Sequence, residues 1–147
     1  MKLFSIAVIS AALILSGCAA SGPKMTEMQA SMPALKADQG RVFFFRSDSM
    51  MGAAIQPSIQ FDGSVVGDSK PGGFFYVDAL TGAHEAMTST EVANKVSFVL
   101  APGEIKYVRT SVSMGLMVGH VVPTLVGKDE ATKELATLSY TGGPKAK

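Results

Sequence analysis

From Arg41 onward, apolar and polar positions alternate in short runs closed by turn residues, a strand pattern rather than a helical one. Val42-Phe43-Phe44-Phe45 is an unbroken apolar run between Arg41 and Arg46. It predicts a strand buried on both faces, with the two arginines as solvated ends. Ile55, Ile59 and Phe61 alternate with Ser58 and Gln60, and Asp62-Gly63 follows. An Asp-Gly pair after an alternating run predicts a two-residue hairpin, because both turn positions need φ > 0. Val65 and Val66 open the return strand. Pro71-Gly72-Gly73 then breaks the chain, Phe74 to Val77 supplies another aromatic strand, and Thr81-Gly82 turns it. His84 to Thr90 reads as a more polar, exposed strand. Val96, Phe98 and Leu100 alternate with Lys95 and Ser97. Pro102-Gly103 fits the centre of a type II turn, and Ile105 to Val112 is the next strand, with Ile105 and Tyr107 on one face.

Turn signals about 8–12 residues apart predict a mainly β chain, an Ig-like or transthyretin-like sandwich of about seven strands. One helix interrupts this pattern near the end. Between Asp129 and Leu138, Ala131, Leu135 and Leu138 fall at i, i+4 and i+7, and Asp129 and Lys133 are an i, i+4 pair of the favourable order. The short C-terminal helix is expected to pack on the sheet, and Thr141 to Lys147 to fray as a flexible tail. Val112 to Gly127 is almost uncharged and carries Met114, Gly115, Met117, Gly119 and Pro123. Gly115-x-x-x-Gly119 matches a membrane helix-dimer motif, yet a stretch broken by Pro123 is too short to span. Two short strands, or a strand and a covering loop, is the leading reading. The alternative is an apolar contact surface for a partner or for lipid.

The N-terminus has another character. After Lys2, Leu3 to Leu15 is apolar except for Ser5 and Ser10. That is short of the about 20 residues that cross a bilayer and suits the hydrophobic region of a secretory signal. Leu15-Ser16-Gly17-Cys18 follows and resembles the bacterial lipobox. The resemblance implies cleavage between Gly17 and Cys18, a diacylglyceryl group on the Cys18 thiol and often a further acyl chain on the new amine. An ordinary signal peptide with an incidental cysteine is the plain alternative. Two or more acyl chains anchor a protein stably where one does not. The residue after the cysteine is Ala19, not Asp, which by resemblance to the sorting rule of two-membrane bacteria implies the outer membrane, facing the periplasm.

The expected organisation is a signal peptide at 1–17, a lipidated cysteine and tether at 18–39, a β-sandwich domain at 40–140 and a tail at 141–147. The tether contains Gly22-Pro23, Pro33 and the methionines Met25, Met28 and Met32. Thioethers are soft ligands suited to Cu(I). With no histidine or second cysteine nearby, the plainer reading is a short amphipathic turn resting on the domain or on lipid. Ser21-x-x-Lys24 has the spacing of a Ser–Lys dyad, but a flexible segment lacks the rigid support catalysis needs.

Composition narrows the function classes. The chain has 147 residues, enough for one domain, with 13 basic against 12 acidic side chains. Loss of Lys2 with the signal would balance the charge. No basic footprint for nucleic acid is present. The single cysteine excludes an intramolecular disulfide framework and a multi-cysteine zinc site.

Candidate chemistry is sparse. His84 and His120 lie in separate expected strands, and neither has a second ligand at metal spacing. His84 and Glu85 are adjacent, so in a strand they point to opposite faces. No nucleophile elbow, phosphate-binding glycine loop or zinc-protease pattern occurs, and Asp62-Gly63 with Asp68 falls short of a calcium loop. No catalytic residue, metal ligand or cofactor is assigned. Phe43, Phe44, Phe45, Phe74, Phe75 and Tyr76 read as core, or else as the lining of a ligand pocket. The leading functional expectation is a non-enzymatic cell-envelope protein held to the membrane through N-terminal acyl chains, with an envelope protein as a partner. The alternative is a carrier of a small apolar ligand with a pocket between the sheets. A hydrolase using His84 or His120 ranks last.

Several segments occur in a telling order: the lipobox, Val42-Phe43-Phe44-Phe45-Arg46, Phe61-Asp62-Gly63, Gly73-Phe74-Phe75, Gly82-Ala83-His84 and Ala101-Pro102-Gly103-Glu104-x-x-Tyr107-Val108. This order resembles the bacterial lipoprotein family catalogued as domain of unknown function 2846, from Gly40 to Leu138. The resemblance implies a compact β-sandwich and a cell-envelope location, with no established activity or catalytic residues to carry over. Thr81-Gly82 stands where a Pro-Gly turn is expected before the histidine, and Glu104 where a lysine is expected. Both departures leave the turns intact.

Overall fold

An unbroken apolar strand needs cover on both faces, because successive side chains point to opposite sides of a sheet. The computed structural model describes residues 19–90, 92–115 and 119–142, and it meets that need with two layers of different kinds. The expected signal peptide at 1–17, Cys18, positions 91 and 116–118, and the tail from 143 lie outside the described residues.

In chain order the elements are α1 (Met25–Met28), β1 (Gln39–Phe45), β2 (Ser58–Phe61), β3 (Ser64–Asp68), β4 (Gly73–Leu80) and β5 (Gly82–Ser89). They continue with β6 (Ala93–Leu100), β7 (Ile105–Met114), β8 (Gly119–Leu125), α2 (Lys128–Leu135) and β9 (Ser139–Tyr140). The chain is mainly β, in a sandwich-like arrangement of two sheets. A five-stranded sheet has the order β8-β7-β1-β4-β9, and a four-stranded sheet the order β3-β2-β5-β6. Nine strands among the described residues exceed the expected seven. The additional ones are β8, which was the open half of Val112 to Gly127, and the two-residue β9.

β1 is the middle strand of the larger sheet, antiparallel to β4 and parallel to β7. Its Val42 and Phe44 face the second sheet, where they join Ile59, Phe61, Phe75, Ala86, Phe98, Leu100 and Val108. The rings pack on one another: Phe44 stacks on Phe75 at 5.2 Å between centroids and meets Phe61 edge-on at 5.8 Å. Phe43 and Phe45 face the other way, into a second cluster with Phe74, Tyr107, Ala131, Leu135 and Leu138. That outer cluster is roofed by α2 and by the N-terminal segment.

The Asp62-Gly63 turn forms as expected, with φ of 50° and 80° at its two residues and Phe61 paired with Ser64. Gly103 takes φ 71°, as a type II turn after Pro102 requires. The described residues of Val112 to Gly127 pair as the end of β7 and the whole of β8, with Val112 opposite Val121, while 116–118 lie outside the described residues. Pro123 is tolerated because β8 is an edge strand, where a missing N–H costs no ladder bond on the open side. The helix runs from Lys128 to Leu135, and Leu138 packs into the outer cluster from just beyond its end.

Two expectations are corrected. His84 to Thr90 is not an exposed strand. β5 lies inside the smaller sheet between β2 and β6, and Ala86 and Thr88 are fully buried. Its inward residues are small or polar, so the alternation carries little apolar signal. The Thr88 hydroxyl donates to the Val121 carbonyl at 2.5 Å, tying the two sheets together. The second correction concerns Arg41 and Arg46, which are buried ends of β1 rather than solvated ones.

Phe44→Ala should lower the unfolding free energy by about 3–5 kcal/mol, the range for deleting a fully buried ring. Val99→Ala, on the exposed face of β6, should stay within about 0.5 kcal/mol. Urea denaturation followed by circular dichroism checks both.

Candidate functional site

The outer face of the larger sheet is built from three cross-strand rows. Arg41, Asp78 and Ile105 form one row, Phe43, Tyr76 and Tyr107 the next, and Phe45, Phe74 and Arg109 the third. Each row places one residue of β1 between its neighbours on β4 and β7. The register thus decides which charges meet.

In the first row, Arg41 grips Asp78 with two parallel bonds, Nε to Oδ1 at 2.6 Å and Nη2 to Oδ2 at 2.8 Å. Its Nη2 also donates to the Pro33 carbonyl at 2.8 Å, and the guanidinium lies 4.5 Å above the Tyr76 ring. The bond to Asp78 raises the Arg41 pKa above its ordinary value. Planar, bidentate pairing of this kind suits arginine and not lysine. In the third row, Arg109 Nη1 meets Glu130 Oε1 at 2.5 Å and Glu134 Oε1 at 2.7 Å. Glu130 and Glu134 are one turn apart on α2, so this contact fixes how the helix sits on β7.

Arg46 sits at the far end of β1, only 3% exposed. It donates to three backbone carbonyls: Ile55 at 2.6 Å, Gly52 at 2.8 Å and Ser69 at 3.1 Å. Burial pushes its pKa down from the ordinary arginine value. One side chain thereby organises the loop between β1 and β2 and the turn before β4.

Between the outer face of the sheet and its two covering segments runs a groove of about 530 Å³. Met25 and Met32 come from the N-terminal side, Phe43 and Tyr107 form the floor, and Thr132 and Leu135 of α2 form the opposite wall. Burial raises the Tyr107 pKa. The groove therefore lies outside the sandwich, on the face away from the stacked phenylalanines of the inter-sheet core.

Residues singled out in the sequence fall as follows. Met25, Met28 and Met32 all pack on the outer cluster, which accounts for their spacing along one face. His84 Nδ1 is 2.7 Å from Asp62 Oδ2, and Nε2 is 2.7 Å from the Leu80 carbonyl. Its ring stacks on Phe61 at 5.0 Å. His120 faces Thr90, with Nδ1 3.4 Å from the hydroxyl. His84 lies in the smaller sheet and His120 in the larger. Among the described residues no group of three His, Cys, Asp or Glu is placed to hold a metal ion. Cys18 and Gly17 lie outside the described residues.

The segment expected as a tether is fastened along its length. The Ala20 N–H donates to the Pro71 carbonyl at 3.1 Å and the Tyr140 N–H to Pro23 at 2.8 Å. Lys24 forms a bridge with Ser139, and its ammonium reaches the Thr137 carbonyl at 2.9 Å and the Ser139 hydroxyl at 3.0 Å. Gly22 lies so close to the Tyr140 carbonyl that no Cβ fits there.

Sequence reasoning missed Arg41, Arg46 and the groove. Only Arg109 left a trace, since Glu130 and Glu134 are acids four apart on a predicted helix.

The ordered segments from the apolar β1 run to the β7 strand coincide with a known sequence profile, described as "Protein of unknown function (DUF2846)" and matching residues 36–122. The chain belongs to the DUF2846 family. The match starts before β1 and ends within β8, so α2, β9 and the N-terminal fastening lie outside the DUF2846 region. An uncharacterised protein of Haemophilus influenzae is 28% identical over 137 residues, covering 90% of this chain and 80% of the relative. No solved structure matches.

Arg46→Lys should destabilise the DUF2846 domain by about 1–3 kcal/mol, because one ammonium cannot meet three carbonyls in a fixed fork. Limited proteolysis should show faster cutting between Ser47 and Pro57 than in wild type.

Proposed function

We propose that this DUF2846 protein is a lipid-anchored cell-envelope protein whose domain serves as a non-enzymatic binding or structural module. The observation that carries this reading is the junction of the lipobox with the fold. Cys18 stands two residues before Ala20, where the chain is already hydrogen-bonded to the domain. Acylation at Cys18 would hold the folded unit at the membrane rather than on a long leash. The outer membrane, facing the periplasm, is the proposed location, since Ala19 follows the cysteine.

The non-enzymatic part rests on how the strongest polar side chains are used. Arg41, Arg46 and Arg109 each hold one piece of the fold to another, and His84 is stacked and bonded between Asp62 and Leu80. Each of these groups has a structural task in the fold.

A second reading is favoured by the groove. Its volume falls in the range of small-molecule sites, and its lining is largely apolar. On this reading the domain carries a small apolar ligand beneath α1 and α2.

Cys18→Ser should abolish incorporation of labelled palmitate and move the protein from the membrane to the soluble envelope fraction. Membrane fractionation unchanged by the substitution would overturn the anchored reading. For the carrier reading, a fluorescent fatty-acid analogue should bind the wild type and lose affinity in Thr132→Trp, which fills the groove. Equal binding by the two proteins would remove it.

A further inference from the structure

The groove on the outer face of the larger sheet has two unlike ends. The Val126 N–H donates to the Tyr107 carbonyl, so the chain enters α2 beside β7, and Lys128 opens the helix there. The helix leads toward β4, because the Ser139 N–H donates to the Gly72 carbonyl and β9 pairs with β4. Lys128 and Ala136 both line the groove and stand about 12 Å apart along the helix. Met25 follows Lys24, which is bridged to Ser139, so Met25 and Leu135 belong to the β4 side. The groove is therefore cationic over β7 and apolar at its other end.

Two deeply buried side chains bring unused donors to this space. Tyr107 is 7% exposed, and its ring stacks on Phe43 at 5.7 Å. Its hydroxyl has no hydrogen bond to any described residue, and burial raises its pKa, which keeps it a donor. The Arg41 side chain is 8% exposed. Asp78 holds its Nε and Nη2, and Pro33 takes a further bond from Nη2. Nη1, on the opposite edge of the guanidinium, has no hydrogen bond among the described residues. No buried side-chain nitrogen or oxygen is both unbonded and sealed from solvent, so both groups are open to solvent, and both residues line the groove. The Lys128 ammonium also has no partner among the described residues.

The charge count selects the ligand. Arg41 and Lys128 are the charged residues lining the groove, and both are cationic. Asp78 neutralises Arg41, which leaves the single charge of Lys128. The acids of α2 are turned elsewhere: Glu130 and Glu134 meet Arg109, and Asp129 does not line the groove. An ionised carboxylate carries one negative charge and only acceptors, which matches one uncompensated ammonium and the idle donors beside it. A phosphate monoester would bring about −1.5 to −2 and leave excess charge in a partly dry groove.

We propose that the groove binds a long-chain fatty acid, with the carboxylate on Lys128 and the Tyr107 hydroxyl and the chain lying on Phe43 toward Met25 and Leu135. The inference rests on the carrier reading and deepens it, naming the headgroup and the direction of the chain. Arg41 adds a donor from the floor through Nη1. The flexible thioether of Met25 suits a chain of variable shape.

The test displaces the fluorescent fatty-acid analogue from the full-length protein with laurate, dodecanol and dodecyl phosphate. Laurate should bind at least about tenfold more tightly than dodecanol, as expected where hydrogen bonds to a charged group are lost. Lys128→Gln and Tyr107→Phe should each weaken laurate several-fold and leave dodecanol unchanged. Equal binding of laurate and dodecanol, both weakened by Thr132→Trp, overturns the carboxylate site and leaves the carrier reading standing. Laurate binding untouched by Lys128→Gln and Tyr107→Phe, or weaker than that of dodecyl phosphate, overturns it in the same way. Failure of all three compounds to displace the analogue, or displacement insensitive to Thr132→Trp, overturns the carrier reading and this inference with it.

Discussion

The double burial of β1 is the constraint on which the rest of the structure depends. A sandwich of two sheets covers only the inner faces of its strands. Phe43 and Phe45 point outward from the larger sheet, and with Phe74 and Tyr107 they present an aromatic surface that water would penalise. α2 covers part of it with Ala131, Leu135 and Leu138. The N-terminal segment covers more with Met25, Met28 and Met32. These pieces, at opposite ends of the sequence, are brought to one face because one strand is apolar throughout. The fold is therefore a sandwich with a third, partial layer.

Two arginines fasten that layer, and a third holds the loops at the far end of β1. Arg41 joins β1 to β4 and to the Pro33 carbonyl of the N-terminal segment. Arg109 joins β7 to α2. Arg46 gathers the β1–β2 loop and the turn before β4. A buried guanidinium loses hydration that only complete hydrogen bonding offsets. Arg41 recovers it from a carboxylate and Arg46 from three carbonyls. These two residues differ in how they would fail: removing Asp78 leaves Arg41 with an uncompensated charge, whereas Arg46 depends on backbone geometry alone.

Much of the fold was readable from local chemistry. The Asp62-Gly63 and Pro102-Gly103 turns follow from the φ values their residues accept. The apolar run of β1 announces two-sided burial, and Ala131, Leu135 and Leu138 announce a helix face. What was not readable depends on register and on which strands become neighbours. Arg41 and Asp78 are far apart in sequence and meet only because Gln39 pairs with Leu80. Arg46 binds carbonyls, which every residue has and no side-chain pattern marks. β5 was misread because its inward positions hold Ala86 and Thr88, whose small or polar side chains look like a solvated face. The groove was hidden for a related reason, since one wall comes from the methionines of a tether whose resting place, domain or lipid, no local pattern decides.

The fate of that segment changes what an anchor at Cys18 would do. A free chain of about 20 residues has a root-mean-square span of about 25 Å and lets a domain tumble above a membrane. Here the chain from Ala20 to Lys24 runs beside β9, and the methionines that follow are part of the outer cluster. Freeing the segment would cost the contacts of Met25, Met28 and Met32 and uncover Phe43 and Tyr107. Tether and fold are thus the same structure. Anything that pulls on the N-terminus loads the Ala20–Pro71 bond first, then the Pro23–Tyr140 bond and the Lys24–Ser139 bridge. With an anchor at Cys18, the stand-off of the domain would be set by packing on the sheet's outer face, not by the number of residues after the cysteine.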